Sequence, residues 1–386
     1  MANTLKFGNG EWYGKKDTIL AYNDENYNYK PLPFSFDRAS SATVVNKAGL
    51  IETVGSDIPR IDYSDDTKGA LLLEPQRTNL YNYSEPTANE GSATDITYES
   101  FNWAIGFTNC VKFGDNSATR YRYGGTVSVS TEYTLSAFVI MDDLSEPIIG
   151  GQTSDKDFSL VLGGAIVVGV NSSVNMGNNI WRVSGTETTS ASASTLNNGI
   201  IKYTSQSSKG FRVVGFQIEQ GSYATSYIPT QGSAVTRLAD VCNNGANEQV
   251  INSTEGVLYA EIKNDIIQQQ TISLRQGTTD SVQLGLINGG IRCAIVSNNS
   301  AVLGTSSFTY SNGQINKYAI VWNGTNAKTF INGQLTNTIT TPSPLNLNKL
   351  GFDNPNLAEN MVGICKDVRV YNTALTDSEL QKLTTI

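Results

Sequence analysis

The chain is organised around a stretch that begins Pro31-Leu32-Pro33-Phe34-Ser35-Phe36-Asp37-Arg38-Ala39-Ser40-Ser41-Ala42-Thr43. It continues through Gly49-Leu50-Ile51-Glu52 and Pro59-Arg60-Ile61-Asp62-Tyr63 to Gly69-Ala70-Leu71-Leu72-Leu73-Glu74-Pro75-Gln76-Arg77-Thr78-Asn79-Leu80. Short apolar pairs alternate with prolines, glycines and polar residues, so the stretch lacks the period of an amphipathic helix. We predict short extended pieces joined by turns, and we name residues 31–82 the landmark segment.

Arginines and carboxylates recur together in the landmark segment. Three arginines lie close in sequence to acidic residues: Arg38 to Asp37, Arg60 to Asp62, and Arg77 to Glu74. A guanidinium binds a carboxylate through two parallel hydrogen bonds, which fixes the geometry of both partners. We therefore predict that these pairs lock the extended pieces in place and have no catalytic role.

Five phrases of the chain carry a resemblance: RASSAT at 38–43, GLIE at 49–52, PRIDY at 59–63, GALLLEPQRTNL at 69–80 and GSYATSYIPT at 221–230. In this order they resemble phrases that recur in structural and fibre proteins of tailed bacteriophages, the crAss-like phages of gut bacteria among them. The resemblance implies a part of the virion, in which the N-terminal region attaches and assembles and sandwich domains project outward.

Composition favours a β protein with several domains. The 386 residues have room for two or three domains, each able to bury a core. Charged residues make up only 16%, and Gly, Asn, Ser and Thr are plentiful, which is typical of turn-rich β structure. We predict an all-β fold of tandem antiparallel β-sandwich (jelly-roll) domains after an extended N-terminal attachment segment.

Charge and residue usage exclude several classes of function. The net charge is −8 and no segment is basic, which argues against nucleic-acid binding. The absence of histidine removes His-based zinc sites and Ser-His-Asp catalysis. The four cysteines are widely spaced and predict free, buried thiols. We expect a protein made soluble in the host bacterial cytoplasm, because neither a signal-peptide core nor a membrane-spanning run is visible; the resemblance implies localisation to the virion.

Shifts in composition divide the chain into four predicted parts. These are an N-terminal attachment and oligomerisation segment at 1–84, a jelly-roll domain at 85–240, a linker at 241–254 and a second β domain at 255–386. The first thirty residues are rich in aromatics: Phe7, Trp12, Tyr13, Tyr22, Tyr27 and Tyr29. These rings need another surface to pack on, either the domain behind them or a partner chain.

Residues 85–240 contain strand-length runs, among them 133–140, 158–162, 165–170 and 211–219, and resemble carbohydrate-binding jelly-roll modules. Sugar binding requires exposed aromatic rings with polar groups beside them. The candidate glycan-binding residues are Trp103, Tyr121, Tyr123 and Trp181, with Asn109, Asn116 and Arg120 as polar neighbours. The competing interpretation is that these aromatics belong to the core, which is their commoner place in a sandwich.

Residues 255–386 show clear turn and cap signals. Asn-Gly pairs at 323–324 and 332–333 predict tight hairpins. Thr376 and Glu379 form a predicted capping box that starts a short C-terminal helix. VWNGTNAKTFINGQL followed by DVRVYNTALTDSEL is similar to the concanavalin-like, or laminin-G-like, jelly roll.

Catalytic and metal-binding patterns are weak. Asp155 with Asp157, and Asp65 with Asp66, are spaced as carboxylate pairs but lie in polar stretches, where solvated charge is the commoner explanation. The loop at 353–356 offers oxygen ligands for calcium, which turn formation explains equally well. We expect no enzyme activity, no cofactor and no required metal.

The predicted function is that of a phage virion structural protein, a head fibre or capsid decoration subunit with glycan-binding-like sandwiches. The expected partners are further copies of the chain in a homotrimer, capsid or tail proteins through the N-terminal part, and host or mucosal glycans; nucleic acid and membranes are not expected. The alternatives are a tail fibre or receptor-binding protein, a purely structural adaptor, and a virion-borne glycan depolymerase. Steady release of new reducing ends from capsular polysaccharide distinguishes the depolymerase from the binding proteins.

Overall fold

The computed structural model describes residues 5–10, 12–23, 28–88, 92–115, 118–263, 269–287, 290–301, 305–309, 313–324, 326–340 and 345–386. Nearly all regular structure in these ranges is β-strand, which confirms the all-β prediction.

The N-terminal strands are β1 (Leu5–Gly8), β2 (Tyr13–Lys15), β3 (Thr18–Asn23), β4 (Asn28–Asp37), β5 (Ala42–Val45), β6 (Ile51–Val54), β7 (Arg60–Asp62), β8 (Ala70–Leu73) and β9 (Arg77–Asn79). The central strands are β10 (Ser92–Thr94), β11 (Ile96–Ser100), β12 (Asn109–Phe113), β13 (Arg120–Tyr123), β14 (Glu132–Met141), β15 (Ser159–Leu162), β16 (Ala165–Ile166), β17 (Val170–Asn175), β18 (Trp181–Thr188), β19 (Gly199–Lys202), β20 (Phe211–Gln220), β21 (Val235–Arg237) and β22 (Val241–Asn243). The C-terminal elements are β23 (Gly256–Lys263), β24 (Gln270–Gln276), β25 (Asp280–Ile287), β26 (Gly290–Ser297), β27 (Ser300–Ala301), β28 (Thr305–Thr309), β29 (Ile315–Trp322), β30 (Asn326–Ile331), β31 (Gln334–Thr340), β32 (Lys349–Gly351), β33 (Gly363–Tyr371) and the helix α1 (Asp377–Thr384).

The middle sandwich packs a five-stranded sheet, in the order β10-β13-β19-β15-β16, on a six-stranded sheet, β11-β12-β20-β14-β18-β17. Alternate residues of β14, such as Leu135 and Val139, enter the core between the sheets. The residues between them, such as Phe138, face the other side, where a second apolar cluster covers them. Both faces of β14 are therefore buried, which explains its almost unbroken apolar sequence.

The C-terminal sandwich includes the start of the chain. One of its sheets has 12 strands and runs β22-β4-β3-β1-β33-β23-β29-β30-β31, with β2, β7 and β8 attached at the side; the other has six strands. β1 lies between β3 and β33 and is fully buried. Phe7 and Phe34 share one core with strands from both sheets. Phe7 and the partly buried Trp12 thus cover the domain behind them, whereas Tyr13 is exposed. Tyr27 and the side chains of Tyr22 and Tyr29 lie outside the described part of the structure.

The predicted segments and the observed sheets group the chain differently. β1 to β4 belong to the predicted attachment segment and β22 to the predicted linker, yet all of them extend a sheet of the C-terminal sandwich. Sequence separation conceals such pairing, because partner strands can be hundreds of residues apart. The four-part division itself stays a prediction.

Local predictions are confirmed in several places. The landmark segment consists of short strands, β4 to β9, joined by turns. Asn332 and Gly333 have φ values of 48° and 80°, as a tight turn between β30 and β31 requires. Helix α1 begins after Thr376 with the complete capping box. All four cysteines are free and buried, and no helix in the described ranges is long and apolar enough to cross a membrane.

Candidate functional site

Two of the four candidate aromatics lie together on the surface. Tyr121 and Tyr123 point to the same side of β13, and their rings stack with centroids 4.9 Å apart and planes inclined by 26°. Both are partly exposed, whereas Arg122 between them is buried, with its guanidinium carbon 5.8 Å from the centre of the Tyr81 ring. The alternation of the strand therefore turns the two tyrosines outward from the five-stranded sheet.

A third tyrosine joins this pair. Burial and the neighbouring Tyr203 and Tyr121 raise the pKa of Tyr123 to about 12, and burial also raises the pKa of Tyr203. The hydroxyls of Tyr123 and Tyr203 thus stay protonated at neutral pH and act as neutral donors and acceptors. We name Tyr121, Tyr123 and Tyr203 the tyrosine cluster.

The two tryptophans among the candidates do not join the cluster. Trp103 is only 1% exposed and packs edge-on against Phe107, so its ring is unable to stack on a ligand; the sugar-binding interpretation of Trp103 is wrong. Trp181 begins β18 on the other sheet, and its partly buried ring packs against the core of the middle sandwich. For both residues the competing interpretation, a place in the core, fits the structure.

The candidate polar neighbours also lie apart from the rings. Arg120 is on β13 but on the opposite side from Tyr121, and it donates to the backbone carbonyl of Asp95. Asn109 lines a separate shallow recess of about 520 Å³ with Glu85 and Gln231. Asn116 lies outside the described residues.

A groove of about 580 Å³ lies beside the landmark segment. Its floor is the outer face of the six-stranded sheet at β17 and β18, where alternate residues point into it. These are Val170, Ser172 and Val174 on β17 and Arg182, Ser184 and Thr186 on β18. Residues 43–45 of the landmark segment and 222–227 of the GSYATSYIPT phrase form two walls of the groove. Lys263 and Ile364 of the C-terminal sandwich form the third. The volume is within the range of small-molecule sites.

The GSYATSYIPT phrase forms one wall because the sheet beneath it binds its backbone. Gln217 of β20 accepts from the amide N of Ile228 at 2.6 Å, and Glu219 accepts from the amide N of Thr225 at 2.9 Å. Asn79, at the end of the landmark segment, donates to the Ile228 carbonyl at 2.8 Å. The phrase and the landmark segment are thus two halves of one hydrogen-bonded structure.

A buried ionic network connects these halves to the strand that follows. Asp240 accepts from Arg38 at 3.0 Å through one oxygen and from Arg60 through the other. Glu74 accepts from Arg60 at 2.6 Å and forms an ion pair with Arg237 at 2.9 Å. We name these five residues the arginine network. The predicted pair of Arg60 with Asp62 does not form, because the partners are Glu74 and Asp240.

The network holds its charges in a dry interior. Arg38, Arg60 and Asp240 have side chains with no exposed surface. Burial raises the pKa of Glu74, but Arg237, Arg60 and the Ser226 hydroxyl and amide outweigh this effect and hold the pKa well below its usual range. Each charge depends on the others, since a buried ion without a partner is costly.

The carboxylates of Asp155 and Asp157, which sequence spacing singled out, have different environments. Asp157 is 1% exposed and accepts from the amide N of Ile148 at 2.8 Å and from the Ser207 hydroxyl at 2.6 Å. The expectation of a solvated charge is therefore wrong for Asp157. Asp155 is exposed and pairs with Lys156 at 2.8 Å, as expected of a surface charge.

One further acidic pair arises only in the sheet. Glu261 of β23 lies directly opposite Asp367 of β33. Asp367 is 2% exposed and accepts from Arg369 at 2.8 Å, while burial raises its pKa. A glycosidase requires both carboxylates to reach the same sugar bond. Because Asp367 is buried, it is unable to contact a bound sugar, and we assign the pair a structural role.

The loop at 353–356 uses its oxygens internally. The carboxylate of Asp353 binds Arg275, and its carbonyl accepts from the Ser273 hydroxyl at 2.7 Å. Asn354 Oδ1 accepts two amides, those of Asn356 and Ala358, each at 3.0 Å. Turn formation therefore accounts for this loop, and in the described residues no group of three or more His, Cys, Asp or Glu side chains is placed to hold a metal ion.

Sequence reasoning missed Tyr203, Arg182 and Asp240. Tyr203 carries no local signal, because it reaches β13 only through the pairing of β19 with that strand. Arg182 follows the candidate Trp181 directly, and strand alternation indicates that the two point to opposite sides. Asp240 carries no local signal for its partners Arg38 and Arg60, which are 202 and 180 residues away in sequence.

Comparison with known families identifies the C-terminal domain. Residues 259–381 match the Concanavalin A-like lectin/glucanases superfamily. The chain therefore contains a concanavalin-like, laminin-G-like domain over about a third of its length. A comparison with curated proteins gives no match.

Solved structures with similar folds include three that bind or act on sugars according to their descriptions. Domain 4 of AbnA, an extracellular GH43 arabinanase from Geobacillus stearothermophilus in complex with arabinotriose, is 15% identical, with 43% of this chain and 84% of that chain covered and a TM-score of 0.34. The CBM40 of the Ruminococcus gnavus IT-sialidase bound to alpha2,3 sialyllactose is 18% identical, with 36% and 86% covered and a TM-score of 0.31. A putative carbohydrate binding protein from Bacteroides ovatus is 8% identical, with 80% and 85% covered and a TM-score of 0.27.

Proposed function

We propose that this protein is a structural subunit of a bacteriophage virion, a head fibre or capsid decoration protein, whose sandwiches bind glycans without cleaving them. The tyrosine cluster carries the glycan-binding part of this proposal. Three partly exposed tyrosines on one sheet face offer ring surface to the C–H face of a sugar and hydroxyl groups to its oxygens. The concanavalin-like domain supports the same class of ligand.

The virion part of the proposal is supported by the landmark resemblance and by the arginine network. Three of the phrases that resemble phage fibre proteins contribute Arg38, Arg60 and Glu74 to the arginine network. Glu74 also accepts from the amide of Ser226 in the GSYATSYIPT phrase, which β20 of the middle sandwich holds. Such a rigid connection suits a projecting structural subunit. Mass spectrometry of purified virions tests this part: the proposal requires the chain in intact particles, and its absence from them overturns it.

Replacing the tyrosine pair should abolish most glycan binding. We expect the double variant Tyr121→Ala, Tyr123→Ala to bind array glycans at least about tenfold more weakly, which corresponds to about 1.4 kcal/mol. Tyr13→Ala is the matched control, because Tyr13 is 47% exposed and belongs to β2, far from the tyrosine cluster in sequence. Unchanged binding by the double variant, with an unchanged circular dichroism spectrum, would remove the tyrosine cluster as the site.

We further propose a homotrimer, the usual assembly of the phage fibres that the landmark segment resembles. Multi-angle light scattering should give three times the mass of one chain at micromolar concentration. A monodisperse monomer under these conditions contradicts the trimer and leaves the glycan site to be tested separately.

A further inference from the structure

The groove beside the landmark segment contains one arginine, Arg182, whose neighbouring carboxylates Glu219, Glu74 and Asp62 lie beyond ion-pair distance. Within the described part of the chain, Arg182 forms no ion pair, although it is partly buried in the groove floor. Its Nη2 donates to the Thr225 carbonyl at 2.6 Å and lies 3.3 Å from the Ser136 hydroxyl. Its Nε is buried without a hydrogen-bond partner. Nη1 has no hydrogen-bond partner among the described residues, so the guanidinium keeps a donor for a ligand.

The acidic residues around the groove, Asp62, Asp65, Glu74 and Glu219, form hydrogen bonds or ion pairs with residues other than Arg182. Asp62 accepts from the amides of Val45 and Ser64, each at 2.9 Å. Asp65 pairs with Lys263 at 2.7 Å. Glu74 belongs to the arginine network, and Glu219 accepts from Gln217 and Thr225. A carboxylate brought by a ligand would thus meet a guanidinium with free donors.

The remaining floor suits a sugar ring. The Ser172 and Ser184 side chains lie opposite each other on β17 and β18, and both point into the groove. Val170 and Val174 flank this serine pair and are 73% and 53% exposed. Hydroxyl groups between two apolar patches match the alternating polar and C–H surfaces of a pyranose.

We propose that the groove binds a sugar that carries a carboxylate, such as a uronic or nonulosonic acid residue, through the guanidinium of Arg182. The proposal rests on the glycan-binding function proposed above and adds a second site on the opposite sheet from the tyrosine cluster. Burial lowers the pKa of Arg182, although the carboxylates of Glu219, Glu74 and Asp62 act in the opposite direction.

Titration of the full chain with glucuronic acid, N-acetylneuraminic acid and glucose, followed by ligand-observed NMR, tests the proposal. We expect at least one of the two acids to bind at least tenfold more tightly than glucose, and its binding to weaken as salt is added. Glucuronamide separates charge from shape, since it keeps the ring and removes the negative charge. Equal binding of glucuronic acid and glucuronamide, with no preference for N-acetylneuraminic acid over glucose, overturns the proposal.

Arg182→Gln should reduce affinity for the bound acid at least tenfold, whereas Arg212→Gln should leave it unchanged. Arg212 is the matched control because the same charge is lost outside the groove, where Arg212 pairs with Glu99 and Asp142. Arg182→Lys keeps the charge and should retain part of the affinity if the glutamine variant does not fold. Equal affinities of the folded Arg182 and Arg212 variants overturn the proposal.

The tyrosine double variant distinguishes this proposal from the proposed function. It should lose array glycans and still bind the acidic sugar in the groove. If array glycans bind and neither acid does, the groove proposal alone fails; if nothing binds, both fail.

Discussion

Asp240→Asn should lower the free energy of unfolding by about 3–5 kcal/mol, the usual cost of breaking a buried ion pair from one side. The side chain of Asp240 has no exposed surface, and its two oxygens bind Arg38 and Arg60. It also accepts from the amide N of Glu74 at 2.8 Å. Asparagine keeps the shape but leaves three buried arginines with Glu74 as the single carboxylate of the arginine network.

Urea unfolding followed by tryptophan fluorescence measures this loss. Asp142→Asn is the control, because Asp142 is a surface carboxylate that also contacts two cations, Lys112 and Arg212. Its side chain is 39% exposed, so its loss should cost less than about 1 kcal/mol. Similar small losses in both variants would show that the arginine network does not hold the landmark segment in place.

Phe7→Ala should destabilise the C-terminal sandwich by about 3–5 kcal/mol, as is typical of a large aromatic removed from a core. Phe7 has no exposed surface, and its ring centroid lies 4.4 Å from that of Phe34. It is opposite Val368 in the pairing of β1 with β33. The cavity would therefore open in the middle of the 12-stranded sheet, far along the chain from the residues that complete it.

Hydrogen exchange locates the effect of this substitution. Amides of β33 and β23 should exchange faster in Phe7→Ala, although both strands are more than 240 residues away in sequence. Tyr13→Ala, on the exposed strand β2, should change stability by less than about 0.5 kcal/mol. Faster exchange confined to the amides of β1, with unchanged exchange in the C-terminal sandwich, would instead support the predicted independent attachment segment.

The candidate site was predictable in part. Tyr121 and Tyr123 are two residues apart in a strand pattern, and this spacing alone puts them on one face. The same alternation puts Arg120 on the other face, although Arg120 is next to Tyr121 in sequence. Whether a side chain is open to solvent or covered depends on what packs over it. The sequence pattern therefore does not show that Trp103 is buried.

Local features were predictable from the sequence: extended pieces in the landmark segment, the Asn332-Gly333 turn and the capping box at Thr376, each of which depends on backbone preferences within a few residues. The concanavalin-like pattern near the C-terminus was recognisable from its phrases. The fold was needed to show that β1 completes the C-terminal sandwich, that Asp240 neutralises Arg38 and Arg60, and that Arg182 lies in a groove. Strand pairing and burial bring together residues hundreds of positions apart, and no local preference encodes which of them meet.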